Sequence, residues 1–287
     1  MKVLKYLFSF LIIFYTLKII LKLSKNLEIN FYDFLVSHYL LICTTIFLQV
    51  IGVFLSTHRW RESIKYFSNN PKLKYKFSEF LHLTSRANII NNFLPSILFG
   101  DLSKLISPNK KHKKKEMKFI IFDRLIGFFT LGNLGLFSMV YINLLNLYIF
   151  FGLLFLEFLS ILFFYKIQFK FTDELRKNIF TLNFFKILVL SLSSQLFFSL
   201  SLFVLLINVK INSVLLYNFF ISIFLNFVGM VPFSINGWGV REWSADKVSL
   251  NQLDSNNLII ASIIFGICIS ISNLLIYLII QARKFKN

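Results

Sequence analysis

The stretch "VPFSINGWGVREW", Val231–Trp243, decides how the fold is interpreted, because it breaks an apolar segment with a proline, two glycines and an Arg–Glu pair. Proline ends a helix because it lacks the backbone N–H, and glycine permits backbone conformations that other residues avoid. Such a break is tolerated at membrane depth only where the backbone is buried in protein or lines a polar cavity. The stretch therefore predicts a turn at a polar site within the segment 213–245.

The rest of the chain has the composition of a polytopic α-helical membrane protein. Of its 287 residues, 56% are hydrophobic, 15% are charged and 38 are phenylalanine. A membrane-crossing helix needs about 20 apolar residues, whereas a transmembrane β-barrel needs alternating strands of about 10 residues, which this sequence lacks. Six apolar runs are long enough to cross as helices: 3–23, 35–56, 118–141, 146–165, 186–208 and 257–281. We expect a single integral membrane domain over residues 1–287.

A second interrupted segment, 79–106, contains Pro95 and is basic at both ends. Positive residues are enriched in cytoplasmic loops, so a single crossing by this segment would leave one basic cluster outside. A re-entrant hairpin, which enters from the cytoplasm and returns there, removes the conflict. The clusters comprise Arg59, Arg61, Lys65, Lys72, Lys74 and Lys76 before the segment, and Lys110, Lys111, Lys113, Lys114, Lys115 and Lys118 after it.

The same rule applies to the segment 213–245. The loop near 166–177 and the C-terminal residues 283–286 are both basic, so both are expected in the cytoplasm. The crossing at 257–281 reaches the cytoplasm only if 213–245 turns back to the outer face. The predicted fold is thus all-α, with about six transmembrane helices and two opposed re-entrant hairpins, an arrangement that transporters use to form a substrate site. Eight simple spans are the alternative.

The first hairpin carries polar side chains on both sides of its proline. Asp101 and Lys104 lie three residues apart, so on a helix they share a face and can form an ion pair. Asn91 and Asn92 either bind backbone groups freed by the break or line a polar cavity for a lipid headgroup. Gly100 follows Pro95 and permits a close backbone approach.

The span 118–141 begins with an Asp–Arg pair, Asp123 and Arg124. At a 1.5 Å rise per residue, this pair lies about 8–9 Å beyond Lys118, where a charge is costly unless it is paired or faces water. We expect Arg124 to bind a lipid phosphate and Asp123 to orient it, with a snorkelling arginine and its local partner as the alternative. Gly127, one turn after Asp123, would permit close helix approach.

The late hairpin repeats the combination of glycine breaks and charge. If a helix begins near Gly239, its free N–H groups form an anion site beside Arg241. Glu242 would neutralise Arg241 while the site is empty. The same hairpin contributes Asn236 as a further headgroup contact, and Pro232 and Gly237 as further structural breaks.

Composition and spacing also argue against several functions. A net charge of +18 would suggest a nucleic-acid partner in a soluble protein, but here the positive residues lie between apolar runs, so no such partner is expected. The histidines share no ligand spacing and both cysteines lie in apolar runs, so we expect no metal and no other cofactor. The sequence contains no recognisable catalytic constellation, which favours a non-enzymatic role.

Three motifs together resemble the transmembrane region of the lysylphosphatidylglycerol synthase family, whose members are flippase-like membrane proteins. That family shows a proline-containing segment ending in Gly-Gly-Asp and Arg, then an Asp-Arg pair, then a late Pro-Ser-x-x-Gly-x-Gly-x-Arg-Glu stretch. Here they are "LPSILFGDLSK" at 94–104, Asp123–Arg124 followed by Gly127, and "PFSINGWGVRE" at 232–242. This chain departs from the pattern in having Phe99 at the first glycine and Lys104 at the usual arginine.

The resemblance implies a lipid-handling, flippase-like membrane domain with two opposed re-entrant segments. We expect it in the bacterial inner (plasma) membrane, and the positions of the basic residues predict that both termini are cytoplasmic. Aminoacyl transfer in the full-length synthases belongs to a separate cytoplasmic domain, which we expect this chain to lack. The expected function is translocation or binding of a phospholipid or polyprenyl-linked glycolipid with an anionic or phosphate-bearing headgroup. One alternative is a non-catalytic membrane subunit that recruits an envelope-biosynthesis enzyme as its partner. Another is a transferase that uses a lipid-linked donor.

Overall fold

The structure, a computed structural model, describes residues 38–67, 76–93, 97–105, 110–166, 181–207, 215–230, 237–249 and 255–284. All the regular elements in these ranges are α-helices, which confirms the predicted all-α class for this part of the chain. In chain order the helices are α1 Tyr39–Phe67, α2 Phe77–Phe93, α3 Ile97–Leu102, α4 Lys110–Tyr141, α5 Leu147–Lys166, α6 Leu182–Ile207, α7 Leu215–Val228, α8 Val240–Ser249 and α9 Ser255–Lys284.

Four of the predicted membrane spans are confirmed as helices of sufficient length and hydropathy. They are Tyr39–Lys65, Met117–Tyr141, Leu182–Ile207 and Asn257–Arg283, within α1, α4, α6 and α9. The predicted span 146–165 lies in α5, where Leu147–Glu157 forms a shorter apolar stretch. The predicted span 3–23 lies outside the described residues.

Helices α1 and α6 pack side by side in opposite directions. Thr45 in α1 donates a hydrogen bond to the carbonyl of Ser201 over 3.2 Å, and Arg59, further along α1, donates to Ser191 over 2.9 Å. Both serines are fully buried. Small hydroxyl residues allow membrane helices to approach closely and to exchange hydrogen bonds, which explains their place in this apolar interface.

Helices α7 and α1 both run antiparallel to α6, so they are parallel to each other. Helix α4 runs antiparallel to α7 and therefore also to α1. Asn226 near the end of α7 donates to Ser199 over 3.2 Å, whereas Phe219 near its middle contacts Phe203, with ring centroids 5.7 Å apart. Tyr141 at the end of α4 stacks on Phe220 near the middle of α7, and Gly135, earlier in α4, packs against Phe227 near the end of α7, so α4 is antiparallel to α7. The C-terminal half of α1 and the N-terminal half of α4 thus lie together, and we call this side of the bundle the basic end.

Helix α9 runs parallel to α1 and finishes at the basic end. The Gln49 side chain donates to the carbonyl of Phe265 over 3.4 Å, and Val53, one turn later, shares an apolar cluster with Ile276. Because residue numbers rise together along the two helices, the C-terminus of α9 lies beside the C-terminus of α1.

The segment α2–α3 enters the bundle from the basic end and turns back. Asn88 donates to Asn273 over 2.9 Å and Asn92 donates to Ser270 over 3.0 Å, so α2 runs antiparallel to α9. The backbone N–H of Gly100 in α3 then donates to the Asn91 side chain over 2.9 Å. In an uninterrupted helix these residues would lie about 13 Å apart, so α3 is packed back against α2.

The segment α7–α8 enters from the opposite end and also turns back. A Cβ atom placed on Gly237 would lie 2.9 Å from the Cα atom of Gly229, so the chain returns to the end of α7 within eight residues. In α8, Glu242 accepts a hydrogen bond over 2.8 Å from Ser262, which lies near the start of α9. The two interrupted segments therefore approach each other from opposite ends of the bundle.

Candidate functional site

A cavity of about 180 Å³ lies where the two broken segments meet. Side chains from α1, α2, α4, α6, α7, α8 and α9 line it, together with Lys104 just after α3. Four cationic residues and one acidic residue belong to its described lining: Arg59, Lys104, Arg124, Arg241 and Asp123. Six amide side chains accompany them: Asn88, Asn91, Asn92, Gln195, Asn226 and Asn273. The cavity is therefore polar and rich in positive charge.

Asp123 forms a buried ion pair with Arg59 and not with its neighbour Arg124. The Arg59 guanidinium donates from Nε to Oδ1 over 2.8 Å and from Nη2 to Oδ2 over 3.1 Å. The same guanidinium donates to Ser191 over 2.9 Å, and Ser191 in turn shares a hydrogen bond of 2.6 Å with Thr130. The prediction that Asp123 orients Arg124 is wrong, because adjacent residues on a helix point about 100° apart and meet different neighbours.

Gly127 makes room for this ion pair. A Cβ atom at that position would lie 3.0 Å from Nη1 and 3.2 Å from Nη2 of Arg59. The close approach predicted at Gly127 thus involves a side chain from α1. A guanidinium at this depth needs such space because it must reach both oxygens of the Asp123 carboxylate.

Asp101 holds two cations at the cavity wall. Its carboxylate lies 2.9 Å from Lys104 Nζ, and it accepts a hydrogen bond of 2.7 Å from Arg124 Nη2 while Nε contacts the second oxygen. The predicted pairing of Asp101 with Lys104 is therefore present. Arg124 and Lys104 share one carboxylate, so this group of three carries net positive charge beside the cavity.

The two asparagines of the first hairpin have different roles. Asn91 accepts the hydrogen bond from the Gly100 N–H, which is the structural role considered for it, and it also lines the cavity. Asn92 lines the cavity and donates to Ser270 of α9. Gly100 is required by the tight reversal, because a Cβ atom there would overlap the carbonyl of Ala87 and the side chain of Asn91.

The Arg241 guanidinium lies in a space that two glycines and a phenylalanine provide. Its Cζ atom lies 4.7 Å from the centre of the Phe265 ring, a cation–π geometry. A Cβ atom on Gly229 would lie 2.9 Å from Arg241 Nη2, and one on Gly237 would lie 2.5 Å from it. Gly237 also has a φ of 84°, which favours glycine. The break therefore both turns the chain and admits Arg241 to the cavity.

Glu242 caps the helix that begins after Gly239. The structure begins α8 at Val240, as expected, and the Glu242 carboxylate accepts a hydrogen bond of 2.6 Å from the Gly239 N–H. This is the return bond of a capping box. The Arg241 N–H donates to the carbonyl of Gly237 over 3.1 Å. These two N–H groups therefore bind the protein itself, which corrects the expectation that they would be open to an anion.

One face of α9 ties both broken segments together. Ser262 binds Glu242 and Gly266 packs against Trp238, both from the second segment. Ser270 and Asn273 bind α2 of the first segment. These α9 positions are three or four residues apart, which is the spacing of one helix face. Helix α9 thus fixes the two segments relative to each other.

Sequence reasoning assigned Arg59 to a basic loop and missed its place in the site. The structure continues α1 to Phe67, so Arg59 lies about two turns inside the helix and not in a loop, and no signal in the local sequence marks this. Gln195 and Asn226 were also missed, although both are amides within apolar runs. The predicted residues Pro95, Pro232 and Asn236 lie outside the described residues.

The fold and this cavity define a class: an integral membrane protein in which interrupted helices surround a polar site rich in cations. A model of the family described as the lysylphosphatidylglycerol synthase TM region matches residues 3–276. The chain belongs to this family, which confirms the resemblance seen in its three motifs. A comparison with curated proteins finds no match.

Proposed function

We propose that this protein is a flippase-like lipid translocator that binds an anionic, phosphate-bearing headgroup in the central cavity. The observation that carries the proposal is that Lys104 of the first broken segment and Arg241 of the second meet at one cavity, beside Arg124 of α4. A headgroup bound there would be reachable from either leaflet through one broken segment or the other. Opposed broken helices around a central site are how many transporters obtain alternating access.

The charges around the cavity suit a phosphate. Four cationic side chains lie there with three carboxylates, those of Asp101, Asp123 and Glu242, so the cluster has net positive charge. Charged residues inside a membrane protein are expensive and are typically retained where they contact a substrate or an ion. A guanidinium presents two parallel N–H donors that match phosphate oxygens.

The size of the cavity suits a headgroup and excludes a whole lipid. Pockets for drug-sized ligands measure about 300–1,000 Å³, whereas this one measures about 180 Å³. The acyl chains would therefore stay in the bilayer while the headgroup passes through the protein.

We further propose that both broken segments are re-entrant in the bacterial plasma membrane and that both termini are cytoplasmic. Helix α7 has 14 residues and α2 has 17 residues. At 1.5 Å per residue they extend about 21 and 26 Å, short of a hydrocarbon layer about 30 Å thick. The basic end of the bundle also gathers the termini of α1, α4 and α9 that carry positive charge, which favours the cytoplasm for that end.

Cysteine labelling tests this topology. Lys113→Cys and Asn251→Cys, each in a Cys43→Ser, Cys268→Ser background, should react with a membrane-impermeant maleimide from opposite sides in sealed vesicles. Labelling of both positions from the same side would contradict the two-hairpin arrangement.

Translocation is tested in vesicles that contain the purified protein and a fluorescent phosphatidylglycerol. Exposure of the headgroup to a membrane-impermeant quencher reports movement between leaflets. The double variant Arg124→Ala, Arg241→Ala should lose translocation because the phosphate loses two of its four cationic contacts. The matched control is Arg86→Ala, Lys247→Ala, which removes the same charge from exposed positions on α2 and α8.

The Arg86→Ala, Lys247→Ala variant should translocate the lipid at the same rate as the unaltered protein. Equal rates for all three proteins, at equal reconstituted amounts, would remove Arg124 and Arg241 from the mechanism. No translocation by the unaltered protein, across a range of phospholipids and polyprenyl-linked lipids, would contradict the proposed function itself.

A further inference from the structure

A second, larger cavity lies at the basic end of the bundle. It is a groove of about 640 Å³ between α1, the start of α2 and the last third of α9. Pockets for drug-sized ligands measure about 300–1,000 Å³, so the groove has room for a ligand of that bulk. Among the described residues, the groove and the central cavity have no lining residue in common. The groove is therefore a separate site.

The interior of the groove is apolar. Its buried lining side chains are Leu81, Ile276 and Ile280, which belong to one apolar cluster between α1, α2 and α9. Two aromatic rings, those of Phe54 in α1 and Phe77 in α2, also line it and contact each other with their centroids 6.0 Å apart. Such a surface gains free energy when it is covered by hydrocarbon, which favours an acyl chain as its occupant.

One face of α9 runs along the groove and opens it towards the bilayer. The α9 residues that line the groove follow the spacing of a single helix face and extend over about 12 Å: Leu275, Ile276, Ile279, Ile280 and Arg283. Leu275 and Ile279 are 43% and 55% exposed, whereas Ile276 and Ile280 are buried. A lipid chain can therefore enter the groove sideways from the membrane.

The charged lining residues lie where these helices begin or end. Arg283 is the last residue of the α9 span, and Lys76 directly precedes α2. Both are exposed, and within the described ranges neither takes part in an ion pair. Glu79 lies in the first turn of α2, where the helix N-terminus itself stabilises a negative charge. Two cations and one carboxylate thus line the groove, so its net charge is positive.

We propose that this groove binds one anionic phospholipid from the leaflet at the basic end. Its acyl chain covers the apolar side chains, and its phosphate lies between Lys76 and Arg283, whose long side chains reach the headgroup region while their stems follow apolar surface. A zwitterionic lipid is disfavoured, because its ammonium group would approach two cations. The bound phosphate would connect the start of α2 to the end of α9. The site is separate from the central cavity, so the inference does not rest on the proposed function.

Native mass spectrometry of the purified protein in detergent tests the proposal with phosphatidylglycerol and phosphatidylcholine that carry the same acyl chains. The double variant Lys76→Gln, Arg283→Gln should bind phosphatidylglycerol about tenfold more weakly, the value of one charge-assisted hydrogen bond, and phosphatidylcholine as before. The matched control is Arg86→Gln, Lys247→Gln, which removes the same charge from exposed residues that do not line the groove.

The same comparison in an Arg124→Ala, Arg241→Ala background separates the groove from the central cavity. Because the two sites share no described lining residue, the loss caused by Lys76→Gln, Arg283→Gln should be equally large in this background. Disappearance of that loss would overturn the proposal, since the lipid concerned would then be the one in the central cavity.

A second variant fills the groove without changing its charge. Ile279→Trp should weaken phosphatidylglycerol binding, whereas Ile271→Trp should not, because Ile271 is exposed on α9 outside the groove. Thermal unfolding in detergent gives an independent readout, since a ligand of the folded state raises the unfolding temperature. Added phosphatidylglycerol should stabilise the unaltered protein and Ile271→Trp more than Ile279→Trp. Glycerol 3-phosphate, which has no acyl chain, should not displace the lipid.

Four results would overturn the proposal. The first is equal retention of phosphatidylglycerol and phosphatidylcholine by the unaltered protein. The second is equal phosphatidylglycerol binding by the Lys76→Gln, Arg283→Gln variant and its matched control. The third is displacement by glycerol 3-phosphate. The fourth is a dimer that dissociates in Ile279→Trp while lipid binding is unchanged, which would assign the groove to a second copy of the chain. Groove binding as expected, without translocation in vesicles, would support this proposal and contradict only the proposed function.

Discussion

Asp123 binds Arg59, which lies 64 residues earlier in the chain, through hydrogen bonds of 2.8 and 3.1 Å. The pair joins α1 to α4 beside the cavity, and the hydrogen bond from Arg59 to Ser191 extends it to α6. Arg124, the next residue, binds Asp101 of the first broken segment. Asp123 thus connects α4 to α1 and, through Arg59, to α6. The adjacent Arg124 connects α4 to the first broken segment.

Asp123→Asn should destabilise the protein strongly, because it leaves the Arg59 guanidinium buried without a full counter-charge. The two side chains are 7% and 5% exposed, and breaking a buried pair by removing one partner costs about 3–5 kcal/mol. Thermal unfolding in detergent micelles, followed by near-UV circular dichroism, measures the loss. The double variant Arg59→Met, Asp123→Leu should unfold at a higher temperature than Asp123→Asn, since it leaves no unpaired charge. A double variant at least as unstable as the single one would show that the pair is not the cause.

Gly127→Ala should be destabilising only while Arg59 is present. A methyl group would lie 3.0 Å from the guanidinium and would displace it from Asp123. In an Arg59→Ala background the space is empty, and alanine is favoured over glycine within a helix by about 1 kcal/mol. Gly127→Ala should therefore lower the unfolding temperature when Arg59 is present and raise it in the Arg59→Ala background. Equal effects in both would place the cause outside the Arg59 contact.

Gly100→Ala should prevent α3 from packing against α2 in the first broken segment. Its methyl group would overlap the Ala87 carbonyl and the Asn91 side chain, so the hydrogen bond from Gly100 to Asn91 would be lost. We expect a loss of about 2–4 kcal/mol, in the range of severe overpacking with a broken buried hydrogen bond. Gly132→Ala in α4 is the control, because a methyl group there meets no atom within 4 Å. Unfolding temperatures that fall equally in both variants would contradict the tight reversal.

Glu242→Gln should lower the free energy of unfolding only slightly, whereas Glu242→Ala should lower it strongly. Glutamine retains an oxygen that can accept from the Gly239 N–H, whereas alanine leaves this buried N–H unsatisfied, at a cost of about 1–3 kcal/mol. Glu242→Gln also removes a negative charge beside Arg241, so binding of phosphatidic acid should strengthen. Unfolding and native mass spectrometry give the two readouts. A glutamine variant as unstable as the alanine variant would mean that the charge, and not the cap, is what matters.

Much of the architecture was predictable from local sequence. The apolar runs at 118–141, 186–208 and 257–281 predicted three long helices because length and hydropathy alone determine whether a helix can cross a membrane. The glycine-rich break predicted that a new helix begins near Gly239, and the structure begins α8 at Val240. These features depend on residues within a few turns of each other, which a single sequence displays.

The sequence predicted most of the charged residues of the site, but it did not predict which of them form ion pairs with each other. Asp101, Asp123, Arg124 and Arg241 were all recognised, because a charge within an apolar segment is conspicuous. The partner of each charge depends on which helix faces it, and helix rotation is a property of the packed bundle. Arg59 was missed for this reason: it follows an apolar run at the point where a loop was expected, and only its distance from Asp123 identifies it as part of the site.

The sequence by itself determined that this is a helical membrane protein with two interrupted apolar segments, since hydropathy, proline and glycine act locally on the backbone. Only the tertiary structure decided that both interruptions meet at one cavity. It also decided that Asp123 forms an ion pair with Arg59, that Asp101 forms ion pairs with Lys104 and Arg124, and that α9 binds both segments. The physical reason is that ion pairs and hydrogen bonds form between atoms a few ångströms apart, and distance along the chain does not determine distance in a packed bundle.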